Sequence, residues 1–197
     1  MMRIITGRAK GRKLKTLEGS QTRPTTERTK EAVFSSIQYD LNGRNVLDLF
    51  AGSGQMGLEA LSRGAAHADF NDASEKAVSV IRENIKICGF EKDSSVFTKD
   101  YRSFLSSCAG KSYDLVFLDP PYARDIIPGI LSTMSEKGLL NEGAIVICET
   151  GEETTLTGDD KLMSVFEIRK QATYGISHIL ILEYRNHFAD SGKGDPI

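Results

Sequence analysis

Asp119-Pro120-Pro121-Tyr122 is the stretch whose residue types and spacing point most directly to chemistry. It closes the apolar run Tyr113 to Leu118. Proline cannot sit inside a sheet ladder, so the pair fixes where that strand must stop. A carboxylate and an aromatic ring are then held on a stiff loop at a strand's carboxyl end, where open α/β sheets bind ligands. That arrangement suits a flat substrate carrying an amino group. The exocyclic nitrogen of a nucleobase is a poor nucleophile because its lone pair is delocalised into the ring. If the Asp119 carboxylate and the Pro120 carbonyl accept its two N–H bonds, the lone pair localises and can attack. Tyr122 would stack on the base, an interaction worth about 1–3 kcal/mol in nucleic-acid binding. The same four residues also make an ordinary strand exit, so the electrophile has to be sought elsewhere in the chain.

Gly52, Gly54 and Gly57 fit G-x-G-x-x-G between an apolar strand and a helix-forming segment. Glycines there permit a tight turn and let a ligand approach the backbone, and the helix start offers unpaired N–H groups. The carboxylates around this turn separate the candidate ligands. Asp48, Asp72 and Asp100 each fall at or just beyond the predicted end of one of the first three strands. A pyrophosphate gains little from an acid at Asp48, whereas a cofactor with an amino group and a sulfonium gains Coulomb attraction. S-adenosylmethionine is such a molecule. Asp72 lies twenty residues after Gly52, the offset at which an acid reaches ribose hydroxyls in NAD sites as well. Asp100 can accept from an adenine amino group, and a helix cap explains it equally well.

The elements that must position these residues follow from periodicity. Strands are predicted at Asn45 to Phe50, Ala66 to Asn71, Ser95 to Thr98, Tyr113 to Leu118 and Gly143 to Cys148. Helical segments alternate with them after Gly57 and at Glu75 to Cys88, Tyr101 to Cys108 and Ile126 to Lys137. Such alternation predicts an α/β fold, a parallel sheet with helices on both faces. Ser164 to Arg169 and Ile176 to Tyr184 are consecutive strands without a long helix between them, expected as an antiparallel hairpin at the sheet's edge. Upstream, Arg3 to Thr6 and Arg12 to Thr16 are expected to pair around Gly7 and Gly11. Ala32, Val33, Phe34, Ile37 and Leu41 recur at helical spacing behind a cap at Thr26. The division expected is residues 1–44 as a basic extension of hairpin and helix, 45–185 as the cofactor-binding domain, and 186–197 as a polar, flexible tail.

A chain of 197 residues that is 40% hydrophobic suffices for one domain with a real core. It has no apolar run long enough to cross a bilayer and no signal-peptide core behind its basic start, so a cytoplasmic location and no membrane partner are expected. Cys88, Cys108 and Cys148 are widely spaced and odd in number, which supports neither a disulfide framework nor a zinc site. Buried thiols and no metal are expected. The net charge of −2 conceals an asymmetry: Met1 to Lys30 carries nine Lys and Arg against two Glu, a net +7 on a body of −9. Arg3, Arg8, Lys10, Arg12, Lys13, Arg23 and Arg28 belong to this arm, and a basic arm on an acidic body suggests a polyanionic partner. Charge runs are often solvated tails, but Ile4, Ile5, Leu14 and Leu17 predict that part of this one folds.

Val46-Leu47-Asp48-Leu49-Phe50-Ala51-Gly52-Ser53-Gly54, followed by Gly57-Leu58-Glu59-Ala60-Leu61-Ser62-Arg63-Gly64-Ala65, is similar to the RsmD family of bacterial ribosomal RNA methyltransferases. Arg3-Ile4-Ile5, Gly11-Arg12-Lys13-Leu14, Arg23-Pro24-Thr25-Thr26, Lys30-Glu31-Ala32 and Phe34 resemble its N-terminal segment, and the similarity runs to about Arg185. The resemblance implies a Rossmann-like class I fold with a seven-stranded, mostly parallel sheet whose last strand is antiparallel. It also implies methylation of a guanine N2 in 16S RNA of the small ribosomal subunit. Carried over by position, Asp48, Gly52 and Gly54 line the cofactor's methionine end, with Phe50 counted among the cofactor-binding residues; Asp72 takes the ribose, Asp100 the adenine, and Asp119 to Tyr122 the guanine. Arg23 to Thr26 lie near the RNA, so Thr25 joins the arm's cations as a contact. Gln55-Met56 and Asn71-Asp72 depart from the family pattern, and a shorter acid at Asp72 shifts the ribose contact. The rivals are an N6-adenine methyltransferase on DNA or RNA, a non-catalytic RNA-binding assembly protein, and an NAD-dependent reductase. A monomer is the default.

Overall fold

The central strand β1 (Asn45–Asp48) bonds in parallel to β2 (His67–Asp72) on one side and to β4 (Tyr113–Leu118) on the other. Outward from these lie β3 (Ser94–Thr98), beside β2, and β5 (Leu140–Thr150), beside β4. The hairpin β6 (Phe166–Tyr174) and β7 (Ser177–Tyr184) completes a sheet of order β3-β2-β1-β4-β5-β7-β6. β7 runs antiparallel to β5 and β6, as expected for the last strand. The computed structural model describes residues 2–17, 27–120, 123–150, 159–175 and 177–185. Thr26 and the tail 186–197 lie outside the described residues.

Both sheet faces are covered, which is why the parallel strands are apolar on both sides. Val46, Phe70, Leu115, Phe117, Ile145 and Ile147 enter one core with residues of α1 (Glu27–Ser36), α2 (Gln55–Ser62) and α3 (Glu75–Cys88). Leu47, Val116, Leu118, Val146 and Cys148 enter the other with residues of α4 (Tyr101–Ser107), α5 (Ala123–Glu136) and α6 (Asp160–Met163). Tyr113 to Leu118 has the predicted limits, because Pro120 denies the ladder another donor. β1 stops two residues early, at Asp48, where the chain begins its turn into α2. The four-residue α6 escapes periodicity; the Asp159 carboxylate accepts from the Leu162 amide and caps it.

In the N-terminal arm the expected pairing of Arg3 to Thr6 with Arg12 to Thr16 is one isolated bridge with its flanking hydrogen bonds. Arg3 and Lys13 form an antiparallel bridge, the Ile4 amide donates to the Arg12 carbonyl at 3.0 Å, and the Leu14 amide donates to the Met2 carbonyl at 2.9 Å. Ile4, Ala9 and Leu14 are buried in the same core as α1 to α3. Cys108 and Cys148 are buried and Cys88 is half-buried. Among the described residues no helix is long and apolar enough to cross a membrane.

Candidate active site at the strand ends

The sheet reverses its direction of growth at β1, with β2 and β3 on one side and β4 onward on the other. Such a reversal leaves a crevice beyond the strands' carboxyl ends. Side chains alternate across a strand, and the register sets which acids meet there. Asp48 lies opposite Phe70 and Phe117, and Phe117 opposite Ile147. One pleat further on, on the α1 to α3 face, stand positions 72, 119 and 149. Four adjacent strands thus each present one carboxylate at the crevice: Asp72, Asp48, Asp119 and Glu149. Asp48, a pleat deeper, is 4% exposed; Asp72 and Glu149 are half-buried, and Asp119 is open to solvent.

The glycine turn is built onto two of these acids. Gly52 and Gly54 take φ of 55° and 76°, a left-handed conformation that costs glycine least. Their reversal carries the chain from β1 straight into α2, whose first-turn Gly57 amide donates to Asp48 Oδ2 at 3.1 Å. Asp72 Oδ2 accepts from the Gly52 amide at 2.9 Å, and its Oδ1 accepts from the Ser74 amide at 2.8 Å. Gly57 answers to packing instead: a Cβ there would lie 2.4 Å from the Phe70 ring on β2. Gly57→Ala is therefore expected to lower stability by about 1–3 kcal/mol, the usual cost of overpacking, readable as a lower urea midpoint with an unchanged slope.

The electrostatics of the crevice are one-sided. Burial pushes the Asp48 carboxyl up to about 7, against the Gly57 hydrogen bond and helped by the charge of Asp72. The Asp119 carboxyl is also raised, first by loss of water on the protein side of its recess and then by Glu149 and Asp48. Water reaches Asp119 from outside and screens part of this. Among the described residues, the neighbouring charges that bear on these two acids are carboxylates. A cation entering the crevice relieves both.

Asp100 sits further along, past β3. Its Oδ1 accepts from the Arg102 and Ser103 amides at 3.0 and 3.2 Å, capping α4, and its carboxyl is held below the usual range chiefly by hydrogen bonding to Ser103. Phe50 packs its ring 5.7 Å from that of Tyr101, the first residue of α4, which brings it beside Asp100. Asn71 ties the neighbouring loops together, its Nδ2 donating to the Leu49 and Lys99 carbonyls at 3.2 and 3.0 Å. Asn71 Oδ1, though buried, has no hydrogen-bond partner among the described residues. Pro120 is buried at the end of β4. Pro121 and Tyr122 lie outside the described residues, as do Arg23 and Thr25.

The ammonium and sulfonium of S-adenosylmethionine match a crevice whose buried and half-buried charges, among the described residues, are negative. A Cβ on Gly52 would meet nothing within 4 Å, so the turn borders open space. The residues present fit the group. Among the described residues no cluster of His, Cys, Asp and Glu suits a metal ion.

A family model described as "Conserved hypothetical protein 95" matches residues 2–183. The chain belongs to this family. The chain is 36% identical to "Putative rRNA methyltransferase YlbH" of Bacillus subtilis, over 93% of this chain and 100% of that protein. It is 35% identical to "Ribosomal RNA small subunit methyltransferase D" of Escherichia coli, over 79% of this chain and 77% of that one. Among solved structures, "Putative methyltransferase yhhF from Escherichia coli" superposes with a TM-score of 0.81 at 28% identity, covering 93% of this chain and 98% of that one. The expected likeness to the RsmD family is borne out, and the fold is that of a class I methyltransferase. Family membership covers the arm as well as the sheet.

The arm is joined to the glycine turn by residues to which the sequence assigned no role. Glu59 of α2, fully buried, accepts from the Ile5 and Thr6 amides at 2.8 and 3.0 Å and pairs with Lys30 and Arg63 at 3.2 and 2.9 Å. Asn84 of α3 donates to the Lys15 and Ser53 carbonyls at 3.0 and 2.9 Å, bridging arm and turn. Of the arm's expected contacts, Arg3 pairs with Glu27, and Arg8 with Asp93, each at 3.2 Å, while Lys10, Arg12, Lys13 and Arg28 are exposed. Glu149 was missed too. Its position within a strand gives no local signal; only the register beside Asp119 reveals it.

Proposed function

We propose that this protein transfers a methyl group from S-adenosylmethionine to the exocyclic N2 of a guanine in small-subunit ribosomal RNA. The observation that carries this reading is the placement of Asp119 and Pro120 just beyond the end of β4, the strand next to that of Asp48, so that an amino-group clamp adjoins a negatively charged crevice. The small-subunit RNA relatives supply the substrate class.

In this reading Asp48 and Asp72 hold the glycine turn and face the cofactor's charged and ribose ends. Asp100 and Phe50 border its adenine. When bound, the cofactor supplies an electrophilic methyl on a sulfonium that leaves as a neutral thioether. Asp119 and the Pro120 carbonyl accept hydrogen bonds from the two N–H groups of the guanine amino group and direct its lone pair outward, and the methylated nitrogen then loses one of those protons to solvent. Tyr122 stacks on the base. Alignment for in-line displacement can contribute on the order of 7–11 kcal/mol to such a reaction.

Residues 1–44 act as the RNA-facing part, with Lys10, Arg12, Lys13 and Arg28 on phosphates and Arg23 and Thr25 near the target. The arm's hairpin uses backbone atoms of Arg12 and Lys13, so neutral side chains there leave it folded. A Lys10→Gln, Arg12→Gln, Lys13→Gln variant is expected to bind RNA more weakly and to flatten the plot of log affinity against log salt by about 2, at roughly 0.7 per phosphate contact. An unchanged slope would mean that these cations are merely solvated.

The deciding experiment is methyl transfer from labelled cofactor to small ribosomal subunits, or their RNA, from cells lacking the protein. Mass spectrometry of the nucleosides is expected to give N2-methylguanosine. N6-methyladenosine, or no transfer, would overturn the reading.

A further inference from the structure

We infer that Glu149 accepts the ring N1–H of the target base and so makes the site selective for guanine. This deepens the proposed reading and rests on it, in that the amino group held at Asp119 and Pro120 must belong to a nucleobase.

Glu149 stands on β5 beside Asp119. Leu118 pairs with Cys148, so positions 119 and 149 occupy the same row on neighbouring strands, about 4.8 Å apart in a regular sheet. Both follow residues of the α1 to α3 face, Phe117 and Ile147, and therefore point to that side. β4 ends at Leu118, whereas β5 runs on to Thr150. Glu149 thus overhangs the strand exit on which the clamp is built, with a side chain one methylene longer than that of Asp119.

The chemistry of the bases indicates what a second acceptor at this place can do. In guanine the amino group adjoins a ring N–H, so its Watson–Crick edge presents N1–H and N2–H donors side by side. In adenine and cytosine the corresponding ring nitrogen carries a lone pair. A carboxylate beside the clamp would receive a hydrogen bond from guanine and would face a lone pair on either of the others. Asp119 and Pro120 recognise an amino group, which three bases possess; Glu149 distinguishes the one whose neighbour is a donor. A site built to bond an N–H discriminates strongly against an analogue lacking it, because the carboxylate and the ring lone pair would then be two acceptors facing each other.

The test uses 2-aminopurine, which keeps the 2-amino group but has a lone pair at N1. Once the modified guanine is mapped, subunits are reassembled around RNA carrying guanine or 2-aminopurine at that position, and kcat/KM is measured on both for wild type and Glu149→Gln. Wild type is expected to prefer guanine strongly. Glu149→Gln is expected to lose roughly 10- to 100-fold on guanine, the worth of one hydrogen bond to a charged acceptor, and to narrow its preference over 2-aminopurine, because the amide can turn its NH2 toward N1. Cofactor affinity by calorimetry is expected to be unchanged, which separates a base contact from misfolding. Equal guanine to 2-aminopurine ratios in the two proteins would overturn this inference while leaving the proposed function standing. Failure of wild type to methylate any guanine would overturn both.

Discussion

Replacing Glu59 with alanine is expected to destabilise the protein by about 3–5 kcal/mol, the range for removing one partner of a buried ion pair. The carboxylate is fully buried and serves four groups at once: the Ile5 and Thr6 amides, Lys30 and Arg63. Lys30 is itself 1% exposed, and its remaining hydrogen bond goes to the Arg3 carbonyl at 2.7 Å. Burial already pulls the Lys30 ammonium below its usual range, with Glu59 the main opposing influence. Without Glu59 that depression deepens. The unfolded chain then binds a proton that the folded variant has lost, so the variant's stability rises with pH where wild type's rises less. Urea melts at two pH values read both the loss and its slope. A loss below about 1 kcal/mol with no pH dependence would show that the arm is not anchored there. A Lys30→Met, Glu59→Gln pair is expected to recover part of the loss, since it removes the stranded charge and keeps one acceptor for the arm's amides.

The same contacts explain which parts of this protein the sequence made legible. The end of β4 was readable because proline cannot donate a ladder hydrogen bond, and the glycine turn because its spacing falls between a strand and a helix. Asp48 stood out as an acid inside an apolar strand. Asp100 remained ambiguous for a physical reason: at the start of a helix one carboxylate can cap amides and still reach a ligand, and in the structure it caps α4. Glu59 looked like an ordinary helix former within α2. Its burial comes from a hairpin more than fifty residues earlier folding back over it, a long-range event that no local pattern encodes. Glu149 was hidden likewise, since its nearness to Asp119 exists only across the β4 and β5 register. Motifs report turns and caps; register and docking decide which charged groups share a site.

Changing Asp119 to alanine is expected to lower kcat by about 10²- to 10³-fold, roughly 2.7–4 kcal/mol, as when one preorganised hydrogen-bonding partner of a reacting group is lost. Cofactor affinity measured by calorimetry should change little, because Asp48 and Asp72 hold the glycine turn and Asp119 does not touch it. Equal losses in affinity and turnover would instead make Asp119 part of the cofactor site. The raised carboxyl adds a pH signature with a definite sign. Asp119 accepts the second N–H bond fully only when ionised, and burial, Glu149 and Asp48 all favour its protonated form. Wild-type turnover is therefore expected to fall on the acid side at a pH well above the ordinary carboxylate range. Asp119→Asn keeps a carbonyl acceptor that cannot ionise, so its activity should be lower at neutral pH and that acid limb should disappear. An identical limb in wild type and Asp119→Asn would assign the titration to Asp48, the other raised carboxyl in the crevice. The two variants together separate a group that aims the nucleophile from one that merely shares its electrostatic field.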